Sequence, residues 1–153
     1  MKQNLDVLNA RYALLSPEKR VEMVFRDFEK VLFTSSFGTT AAVLLHLFHN
    51  ANAALPVYFL DTTYHFAETL AYKTKLTALL HLNVIDVSPE AWKNKFTQED
   101  HTWHKDPDLC CSINKVEPLD RIRNGFDVWV SGLIGTQNNS AKTVRCLKKK
   151  TGS

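Results

Sequence analysis

The chain has 153 residues, 44% of them hydrophobic, which is enough for one substantial core and too short for two ordinary domains. Nineteen Lys and Arg face sixteen Asp and Glu, for a formal net charge of +3. So even a balance excludes the one-signed basic surface of a dedicated nucleic-acid binder and leaves room for a small anion.

The opening "MKQNLDVLNARYALLSPEKR" holds no apolar stretch of signal-peptide length, and no later segment runs eighteen apolar residues without interruption. A cytoplasmic protein without membrane partners is expected. "SPEKRVEMVFRDFEK" follows, with Ser16 as N-cap, Pro17 at the first helical position, and Val21, Val24, Phe25 and Phe28 at helical spacing. "VLF" at 31–33, "PVYFL" at 56–60, "LNVIDV" at 82–87 and "DVWVSG" at 127–132 are short β-branched and aromatic runs bounded by turn chemistry, and they predict buried strands. Between them "TAAVLLHLFHN", "HFAETLAYKTKLTALLH" and "DLCCSINKVEPLDRIRNG" are each long enough for a helix, the last kinked or split by Pro118. Residues 145–153, "RCLKKKTGS", read as a disordered basic tail to a single 1–153 domain. Strand and helix alternate as in an open, mostly parallel α/β sheet of Rossmann-like type with helices on both faces.

The stretch "TSSFGTT" at 34–40 then falls between the first strand and the next helix. Ligands of such sheets sit beyond the carboxyl ends of the strands, where a helix N-terminus offers unpaired N–H groups and a positive dipole. Gly38 lets a ligand approach the backbone, and Ser35, Ser36, Thr39 and Thr40 add hydroxyl donors for phosphate or sulfate oxygens. The plainer alternative is that Ser36 or Thr39 merely caps the helix. Neither a Walker A loop nor a dinucleotide fingerprint is present. Asp61, Thr62 and Thr63 follow the second strand directly and are expected to face the same crevice, the alternatives being a helix cap for Asp61 and a solvated or capping carboxylate for Glu68.

In their order along the chain, "SSFGTTAAVLLHL", "FLDTTYHFAETLAY", "CCSINKVEPLD" and "VWVSGLIGTQ" resemble four segments of the phosphoadenylyl-sulfate and adenylyl-sulfate reductases. That family shares its adenine nucleotide alpha hydrolase-like fold with the ATP pyrophosphatases, and the resemblance covers roughly residues 15–140. It implies that Ser35, Ser36, Phe37, Gly38 and Thr39 hold the sulfate and phosphate end of the nucleotide. It also places Asp61, Thr62, Thr63, Gly132 and Leu133 in the nucleotide cleft. The implied substrate is adenosine phosphosulfate or phosphoadenosine phosphosulfate, reduced to sulfite with thioredoxin or glutathione as thiol donor.

Three cysteines, Cys110, Cys111 and Cys146, make no framework for a disulfide-stapled fold. As residues, the adjacent pair reads either as buried small hydrophobes or, with His101 and His104, as zinc ligands at a spacing that fits no standard pattern. The resemblance adds a third reading, in which Cys110 and Cys111 supply half the ligands of a 4Fe-4S cluster and Lys115 offsets its negative charge. No Cys-x-x-Cys appears in the sequence to supply the other half. The family's nucleophilic cysteine lies in an "ECGLH"-like segment, which "TVRCLKKK" around Cys146 does not match, and Ile134 stands where the family often has arginine. No catalytic residue is therefore assigned, and the chain is expected to be a C-terminally shortened relative. A catalytically incomplete nucleotide-binding module or subunit is the alternative; under either reading the shortened chain is expected to expose surface that favours a homo-oligomer. An ATP pyrophosphatase ranks last, since "SSFGTT" lacks the acidic residue of its loop.

Overall fold

The computed structural model describes residues 4–132, and within them the four β-rich runs become strands β1 (Val31–Thr34), β2 (Val57–Leu60), β3 (Val84–Val87) and β4 (Val128–Val130). All pair in parallel, in the order β3-β2-β1-β4. Strand β1 gains Thr34 beyond its apolar run, whereas the other three are shorter than theirs because the ends are taken by Pro56, which has no N–H to donate, and by turn residues. The first connection leads from β1 to β2 on one side, whereas β4 returns to β1 on the other. The carboxyl end of β1 is thus the point at which strand order reverses, where open α/β sheets form their ligand crevice. The expectations for Leu133, Ile134, Cys146 and the 145–153 tail lie outside the described residues.

Helices α1 (Leu5–Ala13) and α2 (Pro17–Asp27) precede the sheet, α3 (Ala41–Ala51) and α4 (Ala67–Leu80) cross between its first three strands, and α5 (Ala91–Glu99), α6 (Thr102–Lys105), α7 (Pro107–Cys111) and α8 (Glu117–Arg123) lead to β4. The start of α2 is as the sequence predicts, with Ser16 Oγ accepting from Lys19 N at 3.3 Å. Every residue of β1 is buried, which requires cover on both faces. On one face Phe33 stacks on Phe48 of α3 at 4.4 Å between ring centroids, and Phe48 meets Phe25 of α2 edge-on at 5.8 Å. Burial of each such side chain stabilises the fold by about 1.5–3 kcal/mol. Among the described residues, no helix is long and apolar enough to cross a membrane.

Pro118 divides the long third helical segment. Lacking an N–H, it cannot continue an i→i−4 ladder, and its ring would press on the carbonyl four residues back. The backbone widens instead into a π-helical turn over Ser112–Val116, closed by Glu117 N donating to Ser112 O, and α8 restarts with Pro118 in its first turn. Helices α1, α5 and α6 lie outside the predicted elements.

One ionisable group ties α1 to α2. Tyr12, 2% exposed, donates its hydroxyl to Asp27 Oδ2 at 2.9 Å, and Arg11 pairs with the same oxygen. Burial first, then the hydrogen bond to Asp27 and its charge, raise the Tyr12 pKa well above the ordinary tyrosine value of 10.0. The unfolded chain releases this proton near pH 10 while the folded chain keeps it, so the contribution is whole below that pH and declines as pH rises. Thermal melts from about pH 8 to about pH 11 should show a falling Tm above roughly pH 10, and the fall should be shallower in Tyr12→Phe. Parallel curves for the two proteins would contradict this.

Candidate functional site

The loop joining β1 to α3 is built from its second and third residues. Ser35 N extends the sheet by donating to Tyr58 O at 3.1 Å, and Ser35 Oγ accepts from Phe37 N at 3.1 Å. Phe37 adopts φ 51°, a left-handed conformation that costs a bulky residue energy. Its ring is 1% exposed and meets Phe59 of β2 edge-on at 5.7 Å, so burial in the core holds the strained backbone in place. The loop is therefore anchored by Phe37, while its hydroxylated residues stay outside. Gly38, Thr39 and Thr40 are exposed and Ser36 is too.

The amides of Ser36, Gly38, Thr39 and Thr40 donate to no acceptor among the described residues. Thr40 is the N-cap of α3 but makes no side-chain cap bond, and neither Ser36 nor Thr39 caps the helix. The alternative reading of these hydroxyls as caps thus has no counterpart in the structure. What remains, among the described residues, is a row of N–H groups and hydroxyls without protein partners at the positive end of an eleven-residue helix, located where the strand order reverses. This arrangement can hold a tetrahedral oxyanion.

Two further segments follow the strands that neighbour β1. Gly132, two residues beyond β4, passes so close to the start of α3 that an added Cβ would lie 3.3 Å from Leu44 Cδ2. After β2, Asp61 Oδ1 accepts from Thr63 N at 3.0 Å and Thr62 Oγ1 from Tyr64 N at 3.3 Å, two successive side-chain turns that put Thr63 at φ 67°. Helix α4 begins only at Ala67, so Asp61 is not its cap, and Glu68 lies exposed in its first turn. The two strand-end segments share no hydrogen bond among the described residues; their link is the Phe37–Phe59 contact, two residues before Asp61.

Residues that the sequence reading missed hold the second segment. Asn94 of α5, 9% exposed, places Nδ2 at 2.9 Å from Thr63 Oγ1, 3.2 Å from Thr62 O and 2.8 Å from Asn114 Oδ1. Asn114, in the π-helical turn, reaches Thr97 Oγ1 at 3.1 Å, Cys110 O at 3.0 Å and Cys110 Sγ at 3.5 Å. Thr97 Oγ1 donates to Asn94 O at 2.7 Å and accepts from the Tyr64 hydroxyl at 2.9 Å. Beside this network Lys93 Nζ lies 2.6 Å from Glu117 Oε2, and that hydrogen bond holds the Lys93 pKa above the ordinary lysine value.

Cys110 is buried and Cys111 exposed, so successive positions of one helix send the two thiols in different directions. Among the described residues no group of three or more His, Cys, Asp or Glu stands close enough to hold a metal, which leaves the zinc reading through His101 and His104 without a ligand set. For an iron–sulfur cluster the described residues offer two thiols of four, so that set is incomplete among them and no step of chemistry is routed through it.

Residues 30–153 match the phosphoadenosine phosphosulfate reductase domain. Over 130 residues the chain is 41% identical to an adenosine 5'-phosphosulfate reductase of Chelativorans sp. (strain BNC1), a match covering 82% of this chain and 53% of the relative. A protein of the same name from Mesorhizobium japonicum is 37% identical over 129 residues, covering 82% and 51%. The chain spans about half the length of these curated relatives. Among solved structures, the phosphoadenylyl-sulfate reductase of Candida auris, in a phosphate complex, superposes with a TM-score of 0.74 at 25% identity, covering 87% of this chain and 68% of that one. The parallel sheet and the domain match agree, and the chain belongs to the phosphoadenosine phosphosulfate reductase domain family.

Proposed function

We propose that this chain is the nucleotide-holding part of a sulfonucleotide reductase of assimilatory sulfate reduction, and that it seats adenosine phosphosulfate or phosphoadenosine phosphosulfate in the crevice at the end of β1. The observation that carries this reading is the set of open amides at Ser36, Gly38, Thr39 and Thr40 on the N-terminus of α3. Backbone N–H groups and a helix dipole suit the sulfate and phosphate oxygens. The hydroxyls of Ser36, Thr39 and Thr40 add donors whose geometry adjusts by rotation. Asp61, Thr62, Thr63 and Gly132 are assigned to the nucleotide cleft, and so is Leu133, which lies outside the described residues. Phe37 contributes through the loop it anchors, since its ring lies in the core.

The names of the relatives favour adenosine phosphosulfate as substrate. Reduction to sulfite, thioredoxin or glutathione as the thiol donor, self-association and a cytoplasmic setting belong to the same proposal. So does a 4Fe-4S cluster, toward which this chain's described contribution would be the thiolates of Cys110 and Cys111.

Titration calorimetry with adenosine phosphosulfate, adenosine monophosphate and adenosine bisphosphate tests the site. At least one should bind the wild-type chain, and Gly38→Ala should weaken that binding about ten-fold or more. A Cβ at Gly38 meets no protein atom nearer than Ser36 Oγ at 3.8 Å, so the substitution should leave folding stability within about 1 kcal/mol. Absence of heat from all three ligands with folded protein would overturn the reading.

A further inference from the structure

We propose that Asn94 is a positioning residue of the nucleotide cleft, one that sets the Asp61–Thr63 segment and links it physically to the cysteine-bearing helix. The inference rests on the nucleotide reading of the cleft. Its warrant is the pattern of buried polar contacts around α5.

Burying an amide side chain costs free energy unless its donors and acceptors are matched. Asn94 meets that requirement by contacting two separate segments at once. Toward the cleft, Nδ2 reaches Thr62 O and Thr63 Oγ1, and Oδ1 accepts from Gln98 Nε2 at 3.0 Å. Gln98 Nε2 also donates to Thr63 Oγ1 at 2.9 Å, so the Thr63 hydroxyl is gripped by two residues one helical turn apart on α5. Toward the cysteines, Asn94 donates to Asn114, whose own amide contacts both the carbonyl and the sulfur of Cys110.

A second route runs in parallel. The Tyr64 hydroxyl contacts Thr97 Oγ1, and Thr97 is 0% exposed and accepts from Asn114 Nδ2. Thr97 therefore accepts twice and donates once, the full capacity of a hydroxyl. In such a satisfied network a shift of one member leaves another unpaired, so its members move together or not at all.

Thr63 makes the coupling specific. It holds φ 67°, a conformation that a β-branched residue adopts only when its surroundings impose it. The groups that impose it are the Asp61 carboxylate on its amide and Asn94 with Gln98 on its hydroxyl. Release of Asn94 lets Thr63 relax to an extended conformation, and the Asp61 and Thr62 side chains turn with it. A nucleotide that contacts this segment stabilises the gripped state, and linkage then requires the helix at the far end of the network to respond.

Hydrogen exchange read by mass spectrometry, with calorimetry on the same samples, tests the proposal using the 153-residue chain and adenosine monophosphate as probe. In the wild type, the nucleotide should slow exchange both in the 35–42 loop and in the 107–116 segment. Asn94→Ala should weaken binding about ten-fold and abolish the nucleotide's effect on 107–116, while protection of 35–42 remains once the site is saturated. The near-isosteric Asn94→Asp, which loses both donors, should behave alike and serves if the alanine variant does not fold. Lys95→Ala, exposed on the same helix, should match the wild type. Folded Asn94 variants that bind within two-fold of wild type, or that keep the effect on 107–116, would overturn the proposal. No binding to the wild type would instead overturn the nucleotide reading beneath it.

Discussion

Replacing Thr40 with aspartate should raise the melting temperature of the free chain and sharply weaken nucleotide binding. Thr40 stands at the N-cap of α3 with no side-chain cap bond, above amides that no described residue satisfies. A carboxylate there meets the positive end of the helix, an interaction that stabilises by about 0.3–1 kcal/mol when exposed to solvent. The same carboxylate would occupy the position of a sulfate or phosphate group and repel it. Like charges forced together in a binding site cost several kcal/mol, so affinity should fall on the order of a hundred-fold or more. Thr40→Asn has a similar shape without the charge and should bind within about five-fold of wild type. Differential scanning calorimetry supplies the stability and isothermal titration the affinity. An aspartate variant that is more stable and still binds as the wild type does would place the anion elsewhere.

The second large effect is expected at Phe37. Its ring is 1% exposed and packs on Phe59, and that burial, together with the Phe37 N–H donating to Ser35 Oγ, holds a left-handed backbone in place. Truncation to alanine removes the anchor and leaves a cavity, at a cost of about 3–5 kcal/mol. In a domain of this size that corresponds to a Tm lower by roughly ten degrees. Phe37→Leu should lose about 1–2 kcal/mol, since most of the buried volume is kept. Urea denaturation distinguishes the two, and a cost below about 1 kcal/mol for Phe37→Ala would mean that the ring does not hold the loop. Nucleotide affinity should fall in parallel with stability, because the loop amides converge only while Phe37 is seated.

Phe37 also shows where the sequence misleads. In "SSFGTT" glycine is the residue that adopts a positive φ at least cost. The structure gives the positive φ to Phe37 instead, with its ring in the core. Nothing local in the sequence reveals this, because the deciding contact is with Phe59, twenty-two positions away. The strands were legible for the opposite reason. "VLF", "VYFL" and "VWV" set β-branched and aromatic residues between turn residues, a signal that lies within four or five positions, although β3 and β4 prove only partly buried because they form the edges of the described sheet.

Helix α5 was illegible because its pattern is inverted. In "AWKNKFTQE" the large apolar residues Trp92 and Phe96 are exposed, while Asn94 and Thr97 are buried. A search for apolar periodicity sees no inward face in such a segment. The signal that could have found it is the polar pair three positions apart, together with Asn114 in the cysteine segment, and these acquire meaning only once the fold brings them together. Pro118 was easier, since a missing N–H is a property of the residue itself and the break before α8 follows from it.

Strand β1 occupies the middle of the sheet, yet the neighbour on its second side arrives from the far end of the described chain, where Lys30 N meets Asp127 Oδ2 across 97 positions. During synthesis, β1, β2 and β3 can assemble while β1 still presents an unpaired edge, a ready template for foreign strands. Contacts of such sequence separation form slowly, because the intervening chain must be ordered before they are rewarded. The crevice straddles that late seam. A nascent polypeptide should thus complete the proposed crevice only once β4 has joined β1, and not while β1, β2 and β3 stand without it.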